Sequence, residues 1–393
     1  MIAKRKIQVL NNIAAVGLAE LPDDLYEITD SPAADAILLR SANLHAITIA
    51  DSVLAIGRAG AGTNNIPVDQ MSTRGVPVFN APGANANAVK ELVLAAMLMA
   101  ARNLPEAIAY VSSLDANDPE LETKLESGKK AFAGFELSGK ILGVVGLGRI
   151  GCLLADAAIS LGMKVIGHDP NITVDAAWSL PAQVRKAGDL ASLLAQCHFV
   201  SLHVPLVDGT RRMINTEALE QTREGTVLMN FSRAGVVDDD AVLNALDQGT
   251  LARYLCDFPS AKLHGHKKII TLPHLGASTQ EAEENCAIMV ARHLRDYLEN
   301  GNINHSVNFP AVSMPRESNY RIAIANANVP NMLGQISTVM AAANLNIHNM
   351  LNKSRGEVAF TLVDVDSPPQ PGVVSALEAI EGVLSVRYLK AGV

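Results

Sequence analysis

Residues Lys140-Ile141-Leu142-Gly143-Val144-Val145-Gly146-Leu147-Gly148-Arg149-Ile150-Gly151 decide how this chain folds. The first six read as a short buried strand, apolar and partly β-branched. The last six carry three glycines in the spacing G-x-G-x-x-G, and Cys152 to Leu161 continues as an Ala- and Leu-rich helix. A second apolar run, Lys164 to His168, ends at Asp169, 18 positions beyond Gly151. That is close to the spacing of about 20 expected of a dinucleotide-binding βαβ unit. Gly146 permits the tight turn, Gly148 lets the backbone approach a pyrophosphate, and Gly151 lets the helix pack close to the sheet. Arg149 and Ile150 stand between the second and third glycines, just ahead of that helix, whose unpaired N–H groups suit phosphate. A glycine triplet alone would mark only a turn; the strand, helix and acid around it make it specific.

Charge selects the dinucleotide. A carboxylate at Asp169 accepts hydrogen bonds from both adenosine ribose hydroxyls and repels a 2′-phosphate. Pro170-Asn171-Ile172-Thr173 offers no Arg or Lys to rescue one. NAD is therefore expected over NADP. FAD is disfavoured because the fingerprint lies mid-chain, ahead of further elements suited to hydride transfer.

At 393 residues, the chain has room for two or three domains. Hydrophobic residues make up 49% and aromatics only 4%, which points to an aliphatic α/β core. A net charge of −8 argues against nucleic-acid or membrane-surface partners. Cys152, Cys197, Cys256 and Cys286 form no C-x-x-C pair. That excludes a zinc knuckle, leaves no metal set, and suggests a reducing cytosol with each thiol a small core residue. Lys4-Arg5-Lys6 precedes no signal-like apolar run, and the longest apolar stretch, Val93 to Ala101, is too short to span a bilayer. A soluble, cytoplasmic protein is expected.

The first ninety residues alternate strands (Ala36–Leu39, Val53–Ile56, Val76–Phe79) with helical connectors. A helix apolar nearly all round, Ala88 to Arg102, begins the dinucleotide domain. Further strands follow at 198–203, 226–230 and 255–257, and Ile269–Leu272 closes the sheet. The helix Thr279 to Glu299 crosses back to the first domain, and residues 301–318, with Gly301, Pro310 and Pro315, read as a linker. The tail reads strand, helix, strand, strand, helix, strand, a ferredoxin-like βαββαβ module. The expected architecture is α/β. A Rossmann-type domain (88–278) is inserted in a flavodoxin-like substrate domain (1–87 and 279–310), and a ferredoxin-like module (318–393) follows.

Polar groups follow the later strands, where ligands sit in open α/β sheets. They are Phe231-Ser232-Arg233, Asp257 and Pro273-His274-Leu275-Gly276. A guanidinium at Arg233 can grip a carboxylate bidentately, and an imidazole at His274 can take a hydroxyl proton. Taken singly, each reads as a solvated loop charge or a core histidine. Together, behind a dinucleotide fingerprint, they suit redox chemistry on a 2-hydroxy or 2-oxo acid.

With these residues in view, the sequence resembles the D-isomer-specific 2-hydroxyacid dehydrogenases along essentially its whole length. The runs that carry the likeness are 57–66 (GRAGAGTNNI), 145–151 (VGLGRIG), 230–238 (NFSRAGVVD) and 273–279 (PHLGAST). The resemblance implies that Arg233 binds the substrate carboxylate, His274 is the general acid/base, and Asp257 faces the nicotinamide amide. It adds Val204, Pro205, Thr210, Phe231 and Gly276 to the cofactor set. Arg40, Ser41 and Arg58 match positions that hold phosphate and carboxylate, with backbone N–H groups at Gly60, Ala61 and Gly62 beside them. Lys129 or Lys130 matches a residue that reaches a neighbouring subunit's site.

The tail resembles an ACT domain, a regulatory amino-acid-binding unit. There Asn328 and Asn346 match positions that bind L-serine in feedback-inhibited relatives, Asn326 stands where a His is common, and Asn331 replaces a turn glycine. The implied reaction is NAD-dependent oxidation of D-3-phosphoglycerate to 3-phosphohydroxypyruvate, opening L-serine biosynthesis. The implied assembly is a homodimer through the dinucleotide domains, or a homotetramer through paired ACT modules. The rivals are a D-glycerate or hydroxypyruvate dehydrogenase and a non-catalytic NAD-sensing protein of the same fold, like the C-terminal-binding corepressors. One departure stands out. The family sets a Glu shortly after the strand-end Asp to pair with the catalytic imidazole, whereas Asp257 is followed by Phe258-Pro259-Ser260-Ala261-Lys262. Either Asp257 takes both roles, or another group orients His274, or the imidazole works unpaired.

Overall fold

Short runs of Ala, Ile, Leu and Val build a five-stranded parallel sheet from β1 (Arg5–Leu10), β2 (Tyr26–Thr29), β3 (Ala36–Leu39), β4 (Ala55–Arg58) and β5 (Val78–Phe79). The strand order is β2-β1-β3-β4-β5, and every residue of β3 is buried. The computed structural model describes residues 4–390. The chain divides into two units, Met1–Asn85 with Gln280–Val393, and Ala86–Thr279. Among the described residues no single helix is long and apolar enough to cross a membrane.

In the first unit the long helix Gln280–Asn300 lays Cys286, Val290, Ala291 and Leu294 against the sheet. It approaches β4 so closely that a Cβ at Gly57 would lie 2.7 Å from Leu294. The C-terminal module is an antiparallel sheet of β13 (Tyr320–Ala327), β14 (Ile347–Arg355), β15 (Val358–Val365) and β16 (Val383–Lys390), in the order β14-β15-β13-β16. β6 to β12 belong to the second unit. Alternate residues of a strand point to opposite faces. Ile322, Ile324, Val363 and Val365 therefore meet the helices Met332–Ala342 and Val373–Glu378. Ala323, Ala325, Phe360 and Leu362 join Tyr297, Leu298 and Phe309 in one core with the substrate lobe.

Residues 301–318 differ from the linker expected of them. Ile303 pairs with Val312 in an antiparallel bridge, and Ile303, Phe309, Val312 and Met314 are buried. Gly and Pro signal irregular backbone, which here is packed rather than solvated. The module also caps the long helix, whose last four carbonyls lack intrahelical partners. Arg387 donates to Tyr297 O (3.2 Å) and Leu298 O (2.9 Å), Arg316 to Glu299 O (3.0 Å) and Arg321 to Asn300 O (3.1 Å).

The second unit is a seven-stranded parallel sheet. Its strands are β6 (Ile141–Val145), β7 (Lys164–His168), β8 (Arg185–Lys186), β9 (Phe199–Leu202), β10 (Thr226–Asn230), β11 (Leu251–Cys256) and β12 (Ile269–Thr271). The order β12-β11-β10-β9-β6-β7-β8 reverses direction at β6. That is the switch point where ligands bind in such sheets.

Candidate active site

The glycine turn sits at that switch point. Gly146 has φ +92°, and a Cβ there would lie 2.5 Å from His203 O. At Gly151 a Cβ would lie 2.1 Å from Gly146 O, whereas the space over Gly148 is open. Turn and packing therefore demand the first and third glycines, and the second leaves room for a pyrophosphate. Gly148 precedes the helix Arg149–Ser160 with no side-chain cap, so the helix N–H groups remain for an anion. Asp169 sits just past β7 and accepts from Leu147 N (2.8 Å) and Asn171 N (2.9 Å), which ties the acid to the glycine turn. Each carboxylate oxygen keeps a second lone pair for a ribose hydroxyl. Thr210 accepts from Val207 N (2.9 Å) and donates to Pro205 O (2.5 Å), shaping the loop that carries Val204 and Pro205.

Arg233, Asp257 and His274 follow β10, β11 and β12 in turn, at the carboxyl edge of one sheet. A buried Asn230 builds the turn under Arg233. Its amide donates to Arg233 O (2.9 Å), and its oxygen accepts from Ser232 N (3.1 Å) and Ser232 Oγ (2.8 Å). The Arg233 side chain is exposed, donates to Ser232 O (2.6 Å) and forms no ion pair among the described residues. Asn230 was legible only as a turn-former at a strand end.

Of the three ways left open for orienting His274, the contacts of Asp257 bear on the first. Its carboxylate, 2% exposed, accepts from Leu275 N and Gly276 N, both at 2.7 Å. His274 N donates to Asp257 O (3.1 Å), and His274 takes a left-handed φ of +58°. Such a backbone is strained by about 1–3 kcal/mol in a non-glycine residue. Asp257 thus clamps the strained turn rather than the imidazole. The ring of His274 instead packs on Phe258, centroids 4.8 Å apart at 54°. No carboxylate pairs with it among the described residues. Ser260 and Lys262, in the loop after Asp257, bond to Asp239 and Asp240 and so face away from this task.

The first unit gathers the cations. Leu39 and Arg58 are register partners, so Arg40 and Arg58 lie side by side past β3 and at the end of β4. Arg58 Nε donates to Arg40 O (3.0 Å), and Arg40 Nη1 pairs with Glu283 Oε1 at 2.6 Å. Burial raises the pKa of the nearby Cys286 thiol, with Arg40 and Arg58 both working against that rise. Ser41 N donates to Asn11 (3.0 Å), and Asn80 holds Ala61 O (2.6 Å). Gly60 N donates to Arg58 O (2.8 Å), so the expected N–H cradle is left to Ala61 and Gly62. Glu283 had drawn no notice in the sequence, because nothing local marks it. Lys129 pairs with Glu126, three residues before it in the preceding helix.

Asn326, Asn328 and Asn346 do not converge within one copy. Asn326 is buried in β13 and donates to Ala327 O (2.8 Å), and Asn328 donates to Gly356 O (3.0 Å). Asn346 precedes β14 at the opposite end of the sheet, roughly 20 Å away along the strands.

The chain is similar to known proteins. Residues 94–276 match the family described as D-isomer specific 2-hydroxyacid dehydrogenase, NAD binding domain. A D-3-phosphoglycerate dehydrogenase of Haemophilus influenzae is 35% identical over 87% of this chain and 83% of its own. A putative D-3-phosphoglycerate dehydrogenase of Schizosaccharomyces pombe is 31% identical over 95% and 84%. The chain belongs to the D-isomer-specific 2-hydroxyacid dehydrogenases. It is an NAD-dependent oxidoreductase, and the glycine turn and Asp169 fit that cofactor. Among solved structures, an NAD+-bound 3-phosphoglycerate dehydrogenase of Entamoeba histolytica superposes with a TM-score of 0.61 at 24% identity, over 78% of this chain and 99% of that one. A D-mandelate dehydrogenase of Rhodotorula graminis gives 0.65 at 20% identity, over 80% and 100%. At those identities the likeness is one of fold.

Proposed function

We propose that this dehydrogenase oxidises D-3-phosphoglycerate to 3-phosphohydroxypyruvate, the entry step to L-serine. The observation that carries this reading is the Arg40–Arg58 pair, side by side at neighbouring strand ends, with Arg58 Nε donating to the backbone Arg40 O and Glu283 paired with Arg40. A phosphate dianion suits such a pair better than the neutral hydroxymethyl of glycerate does. Arg233 holds the substrate carboxylate in a planar fork. His274 takes the proton of the C2 hydroxyl at an imidazole nitrogen, and Phe258 and the Asp257 clamp keep the ring in place. NAD, held by the glycine turn and Asp169, would supply the hydride acceptor for C2. Asp169, which forms no ion pair among the described residues and is followed by no Arg or Lys over residues 170–173, favours NAD over NADP. In the same reading the chain works as a homodimer or homotetramer, and the C-terminal module takes L-serine between two copies, bringing Asn326 and Asn328 of one copy to Asn346 of the other.

A substrate panel read by NADH absorbance tests the reading. Each charged hydrogen bond contributes roughly 1.5–3 kcal/mol, so two arginines imply kcat/KM about a hundredfold or more higher for 3-phosphoglycerate than for D-glycerate. Arg58→Ala should erase most of that ratio. Equal efficiency on the two acids would point to a glycerate or hydroxypyruvate dehydrogenase, and no turnover of any acid to a binding protein.

A further inference from the structure

β16 is an edge strand, hydrogen-bonded to β13 on one side only. Along it Ser385, Val386 and Arg387 line a cavity of about 490 Å³. The substrate lobe supplies the facing wall through Val53, Leu54, Arg74 and Val76. Such a volume lies within the range of roughly 300–1,000 Å³ typical of small-molecule sites. The two halves meet beside it, where Ser385 Oγ donates to Gly75 O at 3.2 Å.

The charges around the cavity do not balance. The Arg387 guanidinium stacks 4.5 Å from the Tyr297 ring centroid and donates to two helix-end carbonyls. It forms no ion pair with a carboxylate among the described residues. Arg74 is fixed likewise, donating to Ile49 O (3.1 Å) and Ala50 O (2.7 Å). Its acid, Asp51, stands 3.4 Å away with a fully solvated side chain. Glu378, the remaining acid of the lining, is exposed at the end of its helix. Exposed acids neutralise weakly. Two arginines anchored by backbone carbonyls are thus held ready for an anion, with little rotamer freedom left to lose. An antiparallel edge strand adds N–H groups that point away from its partner at alternate residues. Apart from Ser385 and the Tyr297 ring, the rest of the wall is glycine and aliphatic side chains.

We propose that this cavity binds a small carboxylic acid with a short aliphatic body. The carboxylate is drawn to Arg387 and Arg74, and the body lies against Val53, Leu54 and Val76. The site is distinct from the Arg40–Arg58 pair and from the asparagines of the C-terminal sheet. β4 begins one residue beyond Leu54 and ends at Arg58. A ligand here therefore touches the root of the strand whose tip carries a cation of the proposed phosphate site.

Isothermal titration of the full chain at low ionic strength tests this with three probes. Isovalerate carries both features, isopentylamine keeps the body without the anion, and inorganic phosphate keeps an anion without the body. Isovalerate should bind in the millimolar range or tighter. The amine should not bind, and phosphate should bind at least about tenfold more weakly. The titration should be unchanged in Arg233→Met, which rules out capture by the catalytic arginine. Arg387→Gln should weaken isovalerate about tenfold or more. Because Arg387 also caps a helix, Glu378→Gln is the independent arm. Removing that exposed acid should tighten binding by about two- to fivefold. Isovalerate binding no tighter than the amine or phosphate, or binding indifferent to Glu378→Gln, would overturn the assignment.

Discussion

At the scale of single residues, the informative group is Asp257, a buried carboxylate spent on two backbone N–H groups. Those bonds hold Leu275 and Gly276, and with them the left-handed turn at His274. Asp257→Asn replaces one acceptor by a donor that faces an N–H. The turn should loosen and kcat fall about ten- to hundredfold, as a small misplacement of a reacting group does. Since the carboxylate does not pair with the imidazole, the shape of the pH profile of kcat/KM should survive the change. A displaced limb in Asp257→Asn would show that the carboxylate reaches the ring during turnover. Phe258→Leu separates the second support, keeping apolar bulk but losing the ring, and should lower kcat with little effect on KM for NAD. The absence of the family Glu was legible in the sequence; its substitutes were not. A ring contact between Phe258 and His274 depends on the φ of His274, and no local pattern of residue types encodes a left-handed histidine.

Among the elements, what was legible follows burial. β3 and β15, buried almost throughout, have the bounds that their apolar runs imply. β1 begins Arg-Lys and fully buries only Ile7, so its strand character hid behind a basic terminus. β2 and β8 lie at sheet edges with exposed side chains, and β8 has only two residues. An edge strand needs no apolar run, because one of its sides is solvated. The glycine turn was legible because sterics demand it at Gly146 and Gly151. His203, just past β9, was not. It meets Ser201 Oγ at 2.8 Å, and burial lowers its pKa from 6.5 to about 4. The unfolded chain therefore takes up this proton before the folded one does. Stability from the neutral ring is complete above the unfolded value of 6.5 and is lost as pH falls from there towards about 4. His203→Gln keeps a polar partner for Ser201 without a titrating group. Its thermal midpoint should fall less than that of the wild type between neutral pH and about pH 5. Equal losses in the two proteins would remove His203 from the acid sensitivity.

At the scale of the molecule, the C-terminal module and the substrate lobe share a core, which a reading of Gly301, Pro310 and Pro315 as linker punctuation did not foresee. Local signals report backbone irregularity, while burial of Phe309 and Met314 is a tertiary outcome. The centre of this junction is Arg321, fully buried in a bidentate pair with Asp364, Nε to Oδ1 at 2.6 Å and Nη2 to Oδ2 at 2.9 Å. The same guanidinium donates to Asn300 O, Met314 O and Pro315 O, so it joins the helix end, the connecting segment and the sheet. Cutting the chain near Pro315 would bare the apolar face around Tyr297 and uncap the helix at once. The shortened protein should lose solubility or unfold at a lower temperature rather than persist as an intact core. Arg321→Met makes the point within the full chain. It strands the Asp364 carboxylate in the interior and should destabilise by about 3–5 kcal/mol, read as a shift in urea midpoint. Adding Asp364→Leu removes the stranded charge, and much of that loss should return, because buried pairs stabilise little against apolar replacements of similar size. If the double variant is no better than Arg321→Met alone, the three backbone carbonyls, and not the ion pair, are what the junction needs from Arg321.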